Sequence, residues 1–376
     1  MINIIDDKYF KQFVRARRYK ERSIKFHRQG LQAYSDFIGK TPTEIIKEAI
    51  MEEEDGKRMN KRKIKEYFID FVEHLSEKKY APQTIFNRVN SVKTFYHEYD
   101  VITPRIKLPT SNENPALKRI PSKKDILKAI RHTNKRNEAI ILLMASSGLA
   151  SAEIRNLKYK DFIKALEHEL KDLTGDERFD LTKIQSRLQD KDVVGQWHVI
   201  RQKTEMDYIT FSTPESIFAI IEYLKNNENN NKYLKSMEDY LFSVNGNKMK
   251  GNTFDEAFQA INDRCGFGKS GYQRFFRSHN LRKFFTNALY DAGMDSYRVE
   301  WLLGHKLEKT AGSYFKMDIE SMRKEYMKHM DALIIIENNL NRNNQYMAEK
   351  EKVELIESLL SNNQFIKALQ KKVVVE

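Results

Sequence analysis

Between Ser278 and Lys316 the chain reads SHNLRKFFTNALYDAGMDSYRVEWLLGHKLEKTAGSYFK. Its chemistry-bearing residues are His279, Arg282, His305 and Tyr314. Guanidinium and imidazole groups can hold a phosphate and steady the charge that builds on its oxygens during attack. A phenol, with a pKa of about 10, can attack phosphorus if its proton leaves as it does so. Singly these residues are ordinary: a tyrosine usually packs, a histidine is usually a satisfied polar group, and an arginine is usually a surface charge. Their order and spacing are what carry information. His279 and Arg282 are three apart and share one face of a helix. Tyr314 follows His305 by nine residues.

Helical periodicity supplies the elements that must position them. Ala288, Leu289 and Ala292, then Val299, Leu302 and Leu303, recur at helical spacing. Gly293 reads as a stop and Asp295-Ser296 as a new cap. Gly304-His305 closes the second helix. A helical segment is expected to continue past Tyr314 to about Met330.

Composition narrows the class of partner. The 376 residues carry a net charge of +13. Lys11 to Arg28 holds eight basic residues against one acid, and Lys57 to Lys65 holds six against none. Clustered cations favour a polyanion, because phosphate contacts release counterions. No run of about eighteen apolar residues suggests a membrane span. The start lacks a signal-peptide layout, so a cytoplasmic protein is expected. The single cysteine, Cys265, excludes an intrachain disulfide and a thiolate metal cluster, and is expected in a core.

Residues 1–103 read as a helical domain. Helices are expected over Ser23–Phe37, from Thr41-Pro42-Thr43-Glu44, over Asn60–Ser76 and over Pro82–Tyr99. Ile24, Leu31, Tyr34, Phe37, Ile64, Phe68, Phe71, Val72, Leu75, Ile85, Val89, Val92, Phe95 and Tyr96 are expected to face inward, and Arg88 and Lys93 out. Four of the seven prolines, Pro104, Pro109, Pro115 and Pro121, mark residues 104–122 as a linker. A second domain follows over 123–330, opened by a cap at Ser122 to Asp125. It contains an apolar helix ending at Ser147-Gly148, then a helix from Ser151. Lys164 to Asp192 reads as an insertion or extended helix. Trp197–Thr204 and Tyr208–Phe211 form a hairpin. Residues 331–376 form a tail with an apolar helical stripe over 352–369. The fold class is mainly α with a small β-sheet, the second domain being α+β.

The ordered set His279-Asn280-Leu281-Arg282, Leu302-Leu303-Gly304-His305 and Tyr314, with Thr310 four before the tyrosine, resembles the signature of the tyrosine recombinases, the phage-integrase family. The resemblance covers most of the chain. It implies a helical core-binding domain that grips DNA, followed by a tyrosine-recombinase catalytic domain. It implies Tyr314 as nucleophile, Arg282 and His305 as phosphate clamps, His279 as an aid to proton transfer and phosphate binding, and Lys203 on the hairpin as general acid. Neither metal nor cofactor is implied. The chain also lacks a G-x-x-x-x-G-K-[ST] loop. Arg15, Arg17, Arg18, Lys20, Arg22, Lys61, Arg62, Arg88 and Lys93 are expected to contact double-stranded DNA. The partners implied are DNA and further copies of the chain, in a tetrameric synapse within a prokaryotic, nucleoid-associated setting.

One position departs from the pattern. Gly148-Leu149-Ala150-Ser151-Ala152-Glu153-Ile154-Arg155-Asn156-Leu157 matches the family except at Ala150, where the family has its first catalytic arginine. Arg155 lies about 140° around an ideal helix from position 150, and is expected as a surface or DNA-backbone charge. Arg201 shares a hairpin face with Lys203 and is the better-directed cation. Two rival readings follow: a recombinase-derived DNA-binding regulator or architectural protein, which Ala150 favours, and a relaxing topoisomerase with the same nucleophile.

Overall fold

The computed structural model describes residues 2–110, 119–189, 191, 193–201, 204–229, 234–305 and 318–336. The chain divides into two compact units, Met1–Leu117 and Lys118–Glu376. Lys203, Tyr314, Thr310 and the 352–369 stripe lie outside the described residues.

The first unit is helical: α1 (Lys8–Ala16), α2 (Glu21–Ile38), α3 (Pro42–Glu54), α4 (Lys63–Glu77) and α5 (Pro82–Glu98). Thr41 and Glu44 close a capping box that starts α3, with Pro42 in its first turn. The apolar stripes converge on Phe13, Tyr34, Phe68, Phe71, Phe95 and Tyr96, all buried. Tyr34 and Tyr96 solve the problem of a buried phenol by bonding each other, 3.3 Å apart. After α5 the backbone is irregular, yet Ile106 and Leu108 pack against this same core. Part of the proline-rich segment therefore belongs to the first unit.

The second unit is built around α7 (Lys135–Ser147), whose residues Ala139 to Ser147 are all buried. A helix apolar all round must lie at a centre. It is packed by α12 (Pro214–Asn229), α14 (Ser278–Asp291) and strand β2 (Met206–Ser212). Before it stands α6 (Lys123–Arg131), capped by Ser122 and Asp125. Strands β1 (Gly195–Arg201) and β2 (Met206–Ser212) form the antiparallel hairpin, with Trp197 opposite Thr210 and Arg201 opposite Met206. Two further two-residue hairpins, Ser243–Val244 with Asn247–Lys248 and Lys269–Ser270 with Gln273–Arg274, flank α13 (Gly251–Arg264). The architecture among the described residues is mainly helical with small antiparallel sheets.

Several expectations are revised. Residues 164–192 do not form one long helix. Tyr159–Ala165, Glu167–Leu170 and Leu181–Leu188 are short helices, and Leu166, Leu170, Leu173, Leu181, Ile184 and Leu188 enter the core. Bends between them let each short piece bury its own leucines. Ala292 is exposed, because α14 ends there and it caps the helix. At the start of the tail, Leu333 and Ile335 are buried in the second unit's core. The backbone N–H groups of Ile335 and Ile336 donate to the Glu215 carboxylate at 2.9 and 2.8 Å. Cys265 is a buried core thiol, pushed up in pKa by that burial.

Candidate active site

The site begins at the end of α7. A helix leaves its last carbonyls without internal partners, and here three separate elements supply them. The Tyr326 hydroxyl donates to Ser146 O at 2.7 Å. Thr210 Oγ1, from β2, donates to Ser147 O at 2.7 Å. Arg282 Nη1, from α14, donates to Gly148 O at 2.6 Å. Gly148 sits at φ +66°, where a Cβ would come within 2.6 Å of the Phe285 ring. Only glycine lets the chain turn there while α14 packs this close.

The second wall is the end of α15 (Ser296–Leu302) and the turn after it. Arg282 Nη2 donates to Leu303 O at 2.6 Å and lies 3.2 Å from His305 Nε2. His305 Nδ1 is hydrogen-bonded to the Glu300 carboxylate, and Glu300 Oε1 accepts from Tyr290 at 3.1 Å. The bond to Glu300 fixes the ring so that Nε2 turns toward Arg282. Gly304 sits at φ +62°, and a Cβ on it would meet the Tyr208 ring at 2.6 Å.

Tyr208, from β2, ties the two walls together. Its ring packs on Gly304 while its hydroxyl donates to Glu153 Oε2 at 2.7 Å. Glu153 is 5% exposed. It also accepts the Ala150 N–H at 2.6 Å and lies 3.9 Å from Arg282 Nη1. Burial, and then the Glu153 charge, push the Tyr208 phenol well up in pKa, so it serves as a donor and not as a nucleophile.

Arg282 and His305 are therefore brought together. His279 is one turn before Arg282 on α14 and remains accessible. Partial burial of the ring, and then Lys283, Arg277 and Arg282, hold its pKa below the ordinary value. Arg155 is half-buried, and its Nη1 donates to Met249 O at 3.2 Å. Ala150 is the cap of a four-residue helix, Ser151–Ile154, so a regular helical angle never relates it to Arg155. Arg201 Nη1 donates to Gly304 O at 2.7 Å, which places β1 on the same turn as Arg282.

Sequence reading missed Glu300, Tyr290 and Tyr208. Two signals were available. A glutamate in the last turn of a helix opposes the dipole and calls for a cationic or donor partner. An inward-facing tyrosine on a strand needs a buried acceptor.

In the first unit, Arg15, Arg18, Lys20, Arg22 and Lys61 are exposed. Two of the expected cations are already paired. Arg17 bonds Glu98, and Arg62 bonds Glu53 at 2.5 Å and Lys57 O at 2.8 Å. Arg88 lies over the Tyr80 ring at 4.1 Å, and Lys93 is half-buried. Among the described residues no cluster of three metal-ligating side chains occurs. No described helix is long and apolar enough to cross a membrane.

Comparison with known proteins gives the following. The chain is 23% identical over 311 residues to the tyrosine recombinase XerA of Saccharolobus solfataricus, covering 82% of this chain and 87% of that protein. The XerH site-specific recombinase bound to palindromic difH substrate is 15% identical, with 84% and 82% of the two chains covered and a TM-score of 0.48. The Tn1549 transposon integrase in complex with transposon right end DNA is 16% identical, with 80% and 98% covered and a TM-score of 0.44. Residues 122–321, more than half of the 376, match the sequence model of the phage integrase family. The Arg282–His305 site lies inside that match, and the chain belongs to the phage integrase family of tyrosine recombinases.

Proposed function

We propose that this chain is a site-specific DNA recombinase that cuts and rejoins strands through a 3′-phosphotyrosine on Tyr314. The observation that carries the reading is the meeting of Arg282 and His305, 3.2 Å apart on one turn. A guanidinium and an imidazole so placed can hold two nonbridging oxygens of one phosphate. In the reaction, Tyr314 Oη loses its proton and bonds phosphorus. The bond from phosphorus to the 5′ oxygen breaks, and that oxygen takes a proton from Lys203. His279 assists proton movement at the phosphate. Attack by the 5′ hydroxyl of a partner strand reverses these steps and restores the phosphodiester, so no nucleotide cofactor is consumed. The exposed cations of the first unit, Arg15, Arg18, Lys20, Arg22 and Lys61, hold the duplex backbone together with Arg17, Arg62, Arg88 and Lys93. The working assembly is a tetramer on DNA, acting in a prokaryotic nucleoid.

The test is covalent capture. DNA from the source genome is incubated with the protein, denatured, and the attached strands sequenced. The parent should yield one recurring cleavage site, and Tyr314→Phe should bind that site without forming the adduct. Site-specific binding by the parent with no adduct would favour the regulator reading instead, for which Ala150 is the specific support.

A further inference from the structure

We infer that Arg201 is the second guanidinium of the phosphate site, standing in for the arginine that position 150 lacks. The inference rests on the reading that the scissile phosphate lies beside Arg282 and His305. Arg201 and Arg282 donate to consecutive carbonyls of one turn, Gly304 O at 2.7 Å and Leu303 O at 2.6 Å. His305, the next residue, is thereby flanked by a cation from β1 and a cation from α14. The Gly304 bond engages one of the five N–H donors of Arg201, and the side chain keeps partial access to solvent.

The surroundings of position 150 agree. Ala150 gives its N–H to Glu153, and the same carboxylate oxygen takes the Tyr208 hydroxyl. Tyr208 thus satisfies a carboxylate that would otherwise face a cation there. The other sequence candidate, Arg155, bonds Met249 O, a carbonyl outside the turn that carries His305. Of the two arginines considered as substitutes, Arg201 alone reaches the turn that carries His305. β1 fixes its direction, because the hairpin pairs Arg201 with Met206 and so sets the strand's last residue against the turn. Its role is electrostatic: a fixed positive charge for an oxygen that becomes more negative as the phenol attacks.

Two measurements on the full-length chain decide this. The first uses inorganic phosphate as probe and follows the side-chain 15N signals of Arg201 and Arg282. Both should move together, and Arg201→Gln, which retains a donor toward Gly304 O, should bind phosphate roughly tenfold more weakly. The second uses a nicked duplex carrying the captured site, with either an ordinary phosphodiester or a methylphosphonate at the cleavage position. Arg201→Gln should cleave the phosphodiester roughly a hundred- to thousand-fold more slowly. On the uncharged methylphosphonate the deficit should shrink to a few-fold, because there is no longer an anion for the cation to hold. Ala150→Arg should slow the parent by crowding a second guanidinium against Arg201, yet speed Arg201→Gln. An equal deficit on both substrates, or an Arg201 signal that ignores phosphate, would make Arg201 a structural tie and overturn the inference. Neither result touches the Tyr314 reading. Failure of the parent to form a Tyr314 adduct would sink that reading, while the phosphate titration would still decide Arg201.

Discussion

The two units solve the problem of burying polar groups in opposite ways. In the first, phenols and imidazoles are packed as aromatic bodies. Tyr34 lies among Phe68, Phe71 and Tyr96, and His27 stacks on Tyr19 at 4.6 Å. In the second, charged side chains reach across elements to seize backbone carbonyls, as Arg282 does at Gly148 and Leu303. A packed ring contributes stability in proportion to the surface it hides, wherever its partners come from. A side chain fixed on a carbonyl contributes position. The first unit should therefore be sensitive to volume, and the second to small displacements that hardly change stability.

The largest expected effect tests the first half of that contrast. Phe68 is fully buried against Tyr34 and Tyr96. Phe68→Ala should cost about 3–5 kcal/mol. Hydrogen exchange should place the loss within residues 1–117, and an equal loss across the second unit would erase the distinction.

Next comes Gly304→Ala. Its left-handed backbone costs an alanine about 1–2 kcal/mol, and its Cβ would press on the Tyr208 ring at 2.6 Å. The thermal transition should shift modestly, while adduct formation falls on the order of a hundredfold, as expected for a misplaced reacting group. A variant that melts early but cleaves at the parental rate would show that the turn serves stability alone.

The smallest effect is in pH. Burial, partly offset by the bond to Ser91, holds His27 below its ordinary value of 6.5. A depressed folded-state pKa gives stability that is present above the unfolded value and lost as pH falls through the folded one. The first unit should thus weaken as pH falls below the ordinary histidine value of about 6.5. His27→Gln should flatten that slope. An unchanged slope would assign the acid sensitivity to another group.

What could be read from the sequence, and what could not, follows the same divide. The stripes of α4 and α5 and the capping boxes at Thr41 and Ser122 are local patterns, and local patterns decide helices. Strand period set Arg201 on one face with Lys203, which lies outside the described residues, whereas the meeting of Arg282 with His305 was expected only through the family resemblance. What stayed hidden depends on partners far along the chain. Arg17 pairs with Glu98 and Arg155 bonds Met249 O, at sequence separations of 81 and 94. No spacing rule announces which of many carboxylates or carbonyls a long cation will meet. Residues 164–192 were obscure for a different reason, since helices of four to eight residues are too short to show a period.

One contact carries a consequence for how such a protein is assembled over evolution. Lys123 Nζ donates to Asp331 O at 2.7 Å, across 208 residues. The first helix of the second unit and the last stretch described for it thus lie side by side. A body whose two ends meet can be joined to different neighbours, or set into a loop of another protein, without being pulled apart. The seam at Lys123 and Asp331 behaves like the paired leads of a plug-in module, so the described part of the unit can be carried from one architecture to another while its interior stays unchanged.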